Sequence, residues 1–365
     1  MVKLVKLLRH SRLPVIRSLS RLFIGLAIAL PTLSAHADRT QAGTPESLLL
    51  NVYRLMSEGQ SDAALTTANQ LVEQYPTFNL GHLVRGDLLM SRVRPVTTVG
   101  DVRPPSETGE RLSDLREEAR GRLQALTSPA PTNLVPDVLI KLSPEQKHLL
   151  VVDTSKARLY LFAHQEGELR YQTDYYVTIG KAGSDKQSTG DQKTPLGIYR
   201  ITGSIPGNKL TDFYGKGALT LNYPNTWDQQ RGRTGYGIWL HGVPSSSYNR
   251  PPKASNGCVV LANPDMESLM NKIQPGTHVV ITNKLSWRSP EAWKAEQARF
   301  MAYFSTLYTT SGRQSRDLPP LESASLFRYP NAQLMIQVSF PQKETSREQY
   351  WSYDGNQWRP VQRAG

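Results

Sequence analysis

A proline-rich stretch, TSPAPTNLVPD (Thr127 to Asp137), separates two kinds of hydrophobic pattern in this chain. Before it, apolar residues recur every three or four positions. PESLLLNVYRLMSEGQ, SDAALTTANQLVEQYP and NLGHLVRGDLLMSR each carry such a stripe, with Ser61 as a cap candidate and Gly59 and Pro76 as stops. RLSDLREEARGRLQAL (Arg111 to Leu126) reads as a charged amphipathic helix. After the stretch, the period shortens to two. HLLVVDTSKARLYLFAHQEGELRYQTDYYVTIG alternates, is rich in Val, Leu and Tyr, and turns at Glu166-Gly167. GIYRITGSI, GIWLHGV, GCVVLAN and THVVITN add short β-runs. Only NPDMESLMNKIQ (Asn263 to Gln274) is helical here, with Asn263 as its expected cap and Pro264 in its first turn.

The domains follow from these shifts. We expect a multidomain chain: a helical region over 38–126, a linker over 127–137, a mostly-β sandwich or barrel over 138–285, and a small α+β region over 286–365. The last region starts with the helix SPEAWKAEQARFMAYFSTLY. It continues with strand candidates ASLFRYP, AQLMIQVSF and REQYWSYDGNQWRPV, the last with a hairpin signal at Asp354-Gly355. Trp287, Trp293, Trp351 and Trp358 supply it with aromatic core material. In the helical region, Ala64, Ala68 and Pro76 resemble the small residues and closing proline of a tetratricopeptide repeat, over one repeat and a half. A small helical domain accounts for the same residues, because repeat arrays usually need about three units. This region is the candidate surface for protein partners.

Residues 1–37 are expected to be a signal peptide. Six basic residues and no acid occupy positions 1–21, followed by the apolar run LFIGLAIAL and then Ala35-His36-Ala37. Cleavage after Ala37 would leave no transmembrane anchor and an exported, periplasmic or cell-envelope protein. It would also remove six of the +12 formal charges. The remaining excess suits an anionic polymer, and no basic-aromatic nucleic-acid module is present.

The chain has one cysteine, Cys258, in the segment SNGCVVL. A thiolate needs a base or a positive neighbour near neutral pH. His241 ends the β-run GIWLH seventeen residues upstream and is followed by Gly242, whose carbonyl could orient the imidazole. Gly257 allows close backbone approach, and the amides of Asn256, Gly257 and Cys258 could form an oxyanion pocket. On the residues alone, two readings stand: a Cys–His acyl-transfer site, or a packed cysteine. His82, His148, His164 and His278 have no reactive neighbours and read as structural. The lone cysteine and scattered histidines offer no metal-ligand spacing, so neither metal nor other cofactor is expected.

The segment LHGVPSSSYNRPPKASNGCVVL resembles the active-site signature of the YkuD-type L,D-transpeptidases. VVDTSKARLYLF and YYVTIGKAGSDKQSTGDQKTPLGIYRI resemble the family's upstream segments, so the resemblance spans roughly residues 148–283. It implies a β-rich catalytic domain acting by acyl transfer on peptidoglycan stem peptides. Cys258 would be the nucleophile and His241 the base, oriented by the carbonyl of Gly242. Ser255, Asn256, Gly257, Tyr223, Trp239 and Arg233 are the candidates for substrate and oxyanion contacts. Lys193, Thr194, Pro195 and Gly197 form either a cleft wall or a structural turn, and NRPPKAS (Asn249 to Ser255) a mobile lid. Two positions depart from the commoner pattern: Asn256 where a histidine is frequent, and Val260 where an arginine is frequent. GRTGYGIWLHG and NYPNTWD resemble a proteobacterial branch, some of whose members trim stem peptides or cut cross-links. The tail is similar to a shortened NTF2-like domain. The expected function is therefore exported, cysteine-dependent L,D-transpeptidation in cell-wall biogenesis. The alternatives are an L,D-carboxypeptidase or amidase, and a catalytically silent wall-binding scaffold.

Overall fold

The computed structural model describes residues 43–101, 109–310, 321–330, 332, 335–340 and 347–361. The expected signal peptide lies outside these residues. Among them, no helix is long and apolar enough to cross a membrane. Contacts divide the chain into two compact units at Ala119/Arg120.

The first unit is helical. Helices α1 (Pro45–Ser57), α2 (Ser61–Gln74) and α3 (Asn79–Met90) follow one another, and α4 (Gly109–Thr127) runs across the division between units. Thr44 caps α1 by accepting from the Ser47 amide at 3.2 Å. Ser61, the expected cap of α2, is instead its first helical residue. Gln60 occupies the cap position and makes no side-chain cap bond. Ala64, Ala68 and Leu71 are fully buried, which is what a small-residue stripe on α2 allows.

The second unit is built on a curled, mixed eight-stranded sheet. Its order is β11 (Val259–Val260), β9 (Trp239–His241), β8 (Gly217–Leu221), β7 (Gly197–Pro206), β12 (His278–Thr282), β3 (His148–Asp153), β4 (Arg158–Gln165), β5 (Glu168–Tyr176). Two neighbouring pairs are parallel, β12 with β3 and β11 with β9; the others are antiparallel. The central strands are buried on both faces, which explains their near-continuous apolar sequences. Leu150, Val152, Leu159, Leu161, Val279 and Ile281 enter one core. There they join Met266 and Leu269 of α6 (Asn263–Lys272). Leu149, Val151, Tyr160, Phe162 and Val280 face the other way into a second core.

That second core is closed by the tail. Strands β14 (Ser325–Arg328), β15 (Met335–Phe340), β16 (Arg347–Tyr353) and β17 (Trp358–Pro360) form an antiparallel sheet whose edge is β2 (Leu139–Lys141). Trp293 of α7 (Pro290–Thr310) and Phe327, Tyr329, Met335 and Tyr350 complete the core. Val135–Pro136 (β1) pairs with Trp287–Arg288 (β13). Buried Glu296 of α7 binds both Arg288 and Arg328. The tail also has the aromatic core its tryptophans imply, with Phe304, Trp351 and Phe340 packed together. At the β16–β17 hairpin, Gly355 has φ +100°, and Asp354 accepts from the amides of Asn356 and Gln357.

A fully buried histidine lies between the two sheets. His278 packs on the Phe327 ring at 4.9 Å, and its Nε2 meets Ser339 Oγ at 3.1 Å. Burial, reinforced by Arg200, pushes its pKa from 6.5 down to about 3. The folded state thus holds a neutral imidazole that the unfolded chain protonates. Its stabilising contribution is complete above pH 6.5 and is lost as pH falls from 6.5 toward 3. By pH 5 the loss is about 2 kcal/mol. Urea melts at pH 7 and pH 5 should show a smaller drop for His278→Gln than for wild type. Equal drops would remove this group from the acid sensitivity.

Candidate active site

Cys258 lies in a tight turn between β10 (Lys253–Ser255) and β11. Gly257 has φ +122°, and a Cβ there would fall 2.7 Å from the Lys193 carbonyl oxygen, so the turn needs glycine. Buried Ser255 shapes the same turn. Its hydroxyl donates to the Cys258 carbonyl at 2.6 Å and accepts from the Gly257 amide at 3.1 Å. That bond occupies Gly257 N–H and leaves Asn256 and Cys258 as the candidate oxyanion amides. Thr194 buttresses the turn from behind, donating to the Gly257 carbonyl and accepting from the Gly180 amide, both at 2.9 Å. β10 is tied down by parallel pairing with β6 (Ile179–Gly180).

His241 ends β9 beside β11. In the parallel register, Val259 is opposite Leu240 and Val260 opposite His241. Val259 and Leu240 both enter the core. By alternation, Val260, His241 and Trp239 take the other face. Ideal strand geometry, about 4.8 Å between strands and about 3.3 Å of rise per residue, would put the Cα atoms of Cys258 and His241 about 8 Å apart if Cys258 continued β11. Two side chains can close that distance. The Cys258 thiol here points to the Gly237 carbonyl at 3.4 Å.

The imidazole is fixed at its other end. His241 Nδ1 lies 2.7 Å from the Gly242 carbonyl oxygen. A carbonyl only accepts, so Nδ1 carries the proton and Nε2 keeps its lone pair. Gly242 is packed too closely for any side chain, since a Cβ would fall 2.3 Å from Asn263 Oδ1. Asn263 is not the helix cap its sequence position suggests; Ala262 takes that place. Its side chain instead accepts from the amides of Lys216 and Val243 and donates to the Val243 carbonyl. The need to join three chain segments under the histidine outcompetes capping. Burial pushes the His241 pKa down to about 4, opposed by the Gly242 carbonyl and aided by Arg250. Burial also pushes the Cys258 thiol up, against the pull of the Trp239 amide, Arg250 and Lys186. At neutral pH both groups are uncharged.

The other sequence candidates divide. Trp239 is half-buried on the histidine's strand and lies 5.2 Å from the Tyr214 ring. Asn256 is exposed at the turn. Tyr223 is buried in the core, T-stacked on Tyr199, with its hydroxyl donating to the Thr234 carbonyl. Arg233 is buried too, clamped between Asp228 at 3.3 Å and Asp185 at 2.9 Å. Gly197 starts β7 where a Cβ would meet the Tyr199 and Tyr329 hydroxyls. The segment expected to be a mobile lid is pinned: Arg250's carbonyl accepts from Tyr176 and Thr178, and Pro252's from the Ile179 amide.

Sequence reasoning missed the residues that cover the histidine. Phe213 and Tyr214, on a 3-10 turn (Asp212–Tyr214), lie 5.8 and 5.0 Å from the His241 ring. The Arg250 guanidinium sits over the Phe213 ring at 4.5 Å. Lys186, buried and bound to Asp191 at 2.7 Å, is another charge acting on Cys258. Phe213, Tyr214 and Lys186 lie far upstream of HG and SNGC, and Arg250, between the two, falls in the stretch read as a mobile lid.

Residues 147–281 match the family model described as the L,D-transpeptidase catalytic domain, YkuD. No curated protein matches the chain. Among solved structures, Bd1075 of Bdellovibrio bacteriovorus is 20% identical, with a TM-score of 0.49, covering 62% of this chain and 96% of its own. The helical cell shape determining protein Pgp2 of Campylobacter jejuni is 17% identical, with a TM-score of 0.46, covering 61% and 93%. An L,D-transpeptidase from Mycobacterium smegmatis is 14% identical, with a TM-score of 0.24, covering 37% and 58%.

Proposed function

Residues 147–281 of this chain are an L,D-transpeptidase catalytic domain of the YkuD family, and from that premise we propose that the protein performs cysteine-dependent acyl transfer on peptidoglycan stem peptides in the cell envelope. What supports this reading is the parallel register that sets Val260, two residues after Cys258, beside His241, together with the Gly242 carbonyl that holds the His241 Nδ1. In the proposed reaction, Cys258 Sγ attacks the carbonyl joining the L-centre to the terminal D-residue of a tetrapeptide stem. The thiol proton passes to His241 Nε2 and then to the departing D-alanine amine. A thioester remains on Cys258. An acceptor amine resolves it, giving a cross-link, while water would give a tripeptide. The amides of Asn256 and Cys258 are the proposed oxyanion donors. Because both partners are neutral at rest, the proton moves during attack, not before it.

The test is incubation of the protein with tetrapeptide-rich sacculi, followed by mass spectrometry of the muropeptides. The expected products are free D-alanine and cross-linked dimers. Tripeptides without dimers would assign the hydrolytic alternative. Unchanged muropeptides would reject acyl transfer and leave a binding role.

A further inference from the structure

Arg250 has a feature that the proposed chemistry leaves unused. Its guanidinium is half-buried, stacked 4.5 Å over the Phe213 ring, and Phe213 in turn lies 5.8 Å from the His241 ring. Among the described residues, Nη2 reaches the Phe213 carbonyl, at 3.4 Å, and no carboxylate forms an ion pair with Arg250. Asp212, on the same turn as Phe213, is engaged by the amide and hydroxyl of Ser245. The backbone below Arg250 is fixed, its carbonyl accepting from Tyr176 Oη at 3.2 Å and Thr178 Oγ1 at 3.0 Å. A rigidly mounted, partly desolvated guanidinium without a counter-ion is costly by itself. It becomes favourable when a carboxylate arrives, which it can bind through two parallel N–H bonds.

We propose that Arg250 receives the terminal carboxylate of the D-residue that leaves the acyl-donor peptide, and so selects donors with a free C-terminus. The inference rests on the acyl-transfer reading of the site and adds its donor specificity. The geometry suits this carboxylate because it lies one residue beyond the scissile carbonyl. The guanidinium lies 4.5 Å over the Phe213 ring, and that ring lies 5.8 Å from the His241 imidazole, so Arg250 stands one aromatic ring from the proposed base. Bulk and charge act together in the proposal: Phe213 supports the guanidinium at 4.5 Å, and the Arg250 N–H groups take the departing carboxylate. Lysine would keep the charge but lose the paired donors and the ring stacking.

The experiment measures binding without turnover. Cys258→Ser protein is titrated with a tetrapeptide stem ending in a free D-alanine carboxylate and with the same peptide ending in D-alaninamide. The other carboxylates of the stem are present in both probes. The expected result is at least about tenfold tighter binding of the acid, with the preference lost in the Cys258→Ser/Arg250→Ala protein and partly restored by Arg250→Lys. Absence of any preference in Cys258→Ser, or a preference that survives loss of Arg250, would overturn the assignment. Because these proteins carry no thiol at position 258, the outcome is independent of whether the wild type transfers, hydrolyses or does neither. The muropeptide assay above tests that separately.

Discussion

A variant ending at Leu285 should not fold cooperatively. The domain pattern in the sequence suggests a self-sufficient β domain over 138–285, but its sheet has two buried faces. Removing the tail strips the cover from Leu149, Val151, Tyr160, Phe162, Ile198 and Val280. At about 1.5–3 kcal/mol for each large apolar side chain returned to water, the loss is on the order of 10 kcal/mol. That is comparable with the whole stability of a typical domain. The loss goes further, since β2 loses its partner β14 and β1 loses β13. The buried ion cluster of Glu296 with Arg288 and Arg328 disappears as well. The expected observation is an aggregating or dye-binding product without a sharp thermal transition. A truncated protein melting sharply within about 5 °C of the full chain would show that the catalytic sheet does not depend on the tail.

The same strands show what the sequence made legible and what it hid. HLLVVD and HVVIT are apolar almost throughout, so they announce buried strands. They do not announce that one covering layer comes from 286 onward, because period and propensity are local and sheet-on-sheet contact is not. β2, three residues long and upstream of the catalytic strands, could not be assigned to the tail sheet from sequence for the same reason. The hairpin at Asp354-Gly355 was legible because its turn chemistry is complete within four residues.

In the site, legibility followed spacing. HG and SNGC are short, and each owes its form to a local requirement. Gly242 must pass under Asn263, and Gly257 must take a positive φ. The residues that cover the pair come from elsewhere. Phe213 and Tyr214 sit on a 3-10 turn with no marked sequence pattern, and Arg250 lies in a loop whose polar composition suggested mobility. Tyr223 and Arg233 were plausible cleft residues by position, but their polar atoms are used inside the protein. Arg233 is satisfied by two aspartates, and the Tyr223 hydroxyl by a carbonyl.

Turnover should fall by at least about 10⁴-fold in Cys258→Ala, and the pH profile should identify His241 as the proton acceptor. The profile is the more discriminating measurement. A Cys–His pair that rested as thiolate and imidazolium would lose activity in acid as the low-pKa thiolate became protonated. Here burial sets both groups the other way: the imidazole is held down to about 4 and the thiol is pushed up. The competent resting state has a neutral base, which exists above pH 4, so wild-type kcat/KM should stay level from about pH 5 to 8 and fall only near pH 4. His241→Gln removes the acceptor and leaves only the thiolate fraction to react. That fraction rises about tenfold per pH unit below the thiol pKa, so the variant's activity should climb steeply from pH 6 to 9 while remaining far below wild type. An acid limb near 6.5 in the wild type would mean that His241 titrates as an exposed imidazole. A flat profile in His241→Gln would mean that another group takes the thiol proton. Either result would require a different assignment of the base, whereas full activity in Cys258→Ala would end the thioester mechanism itself.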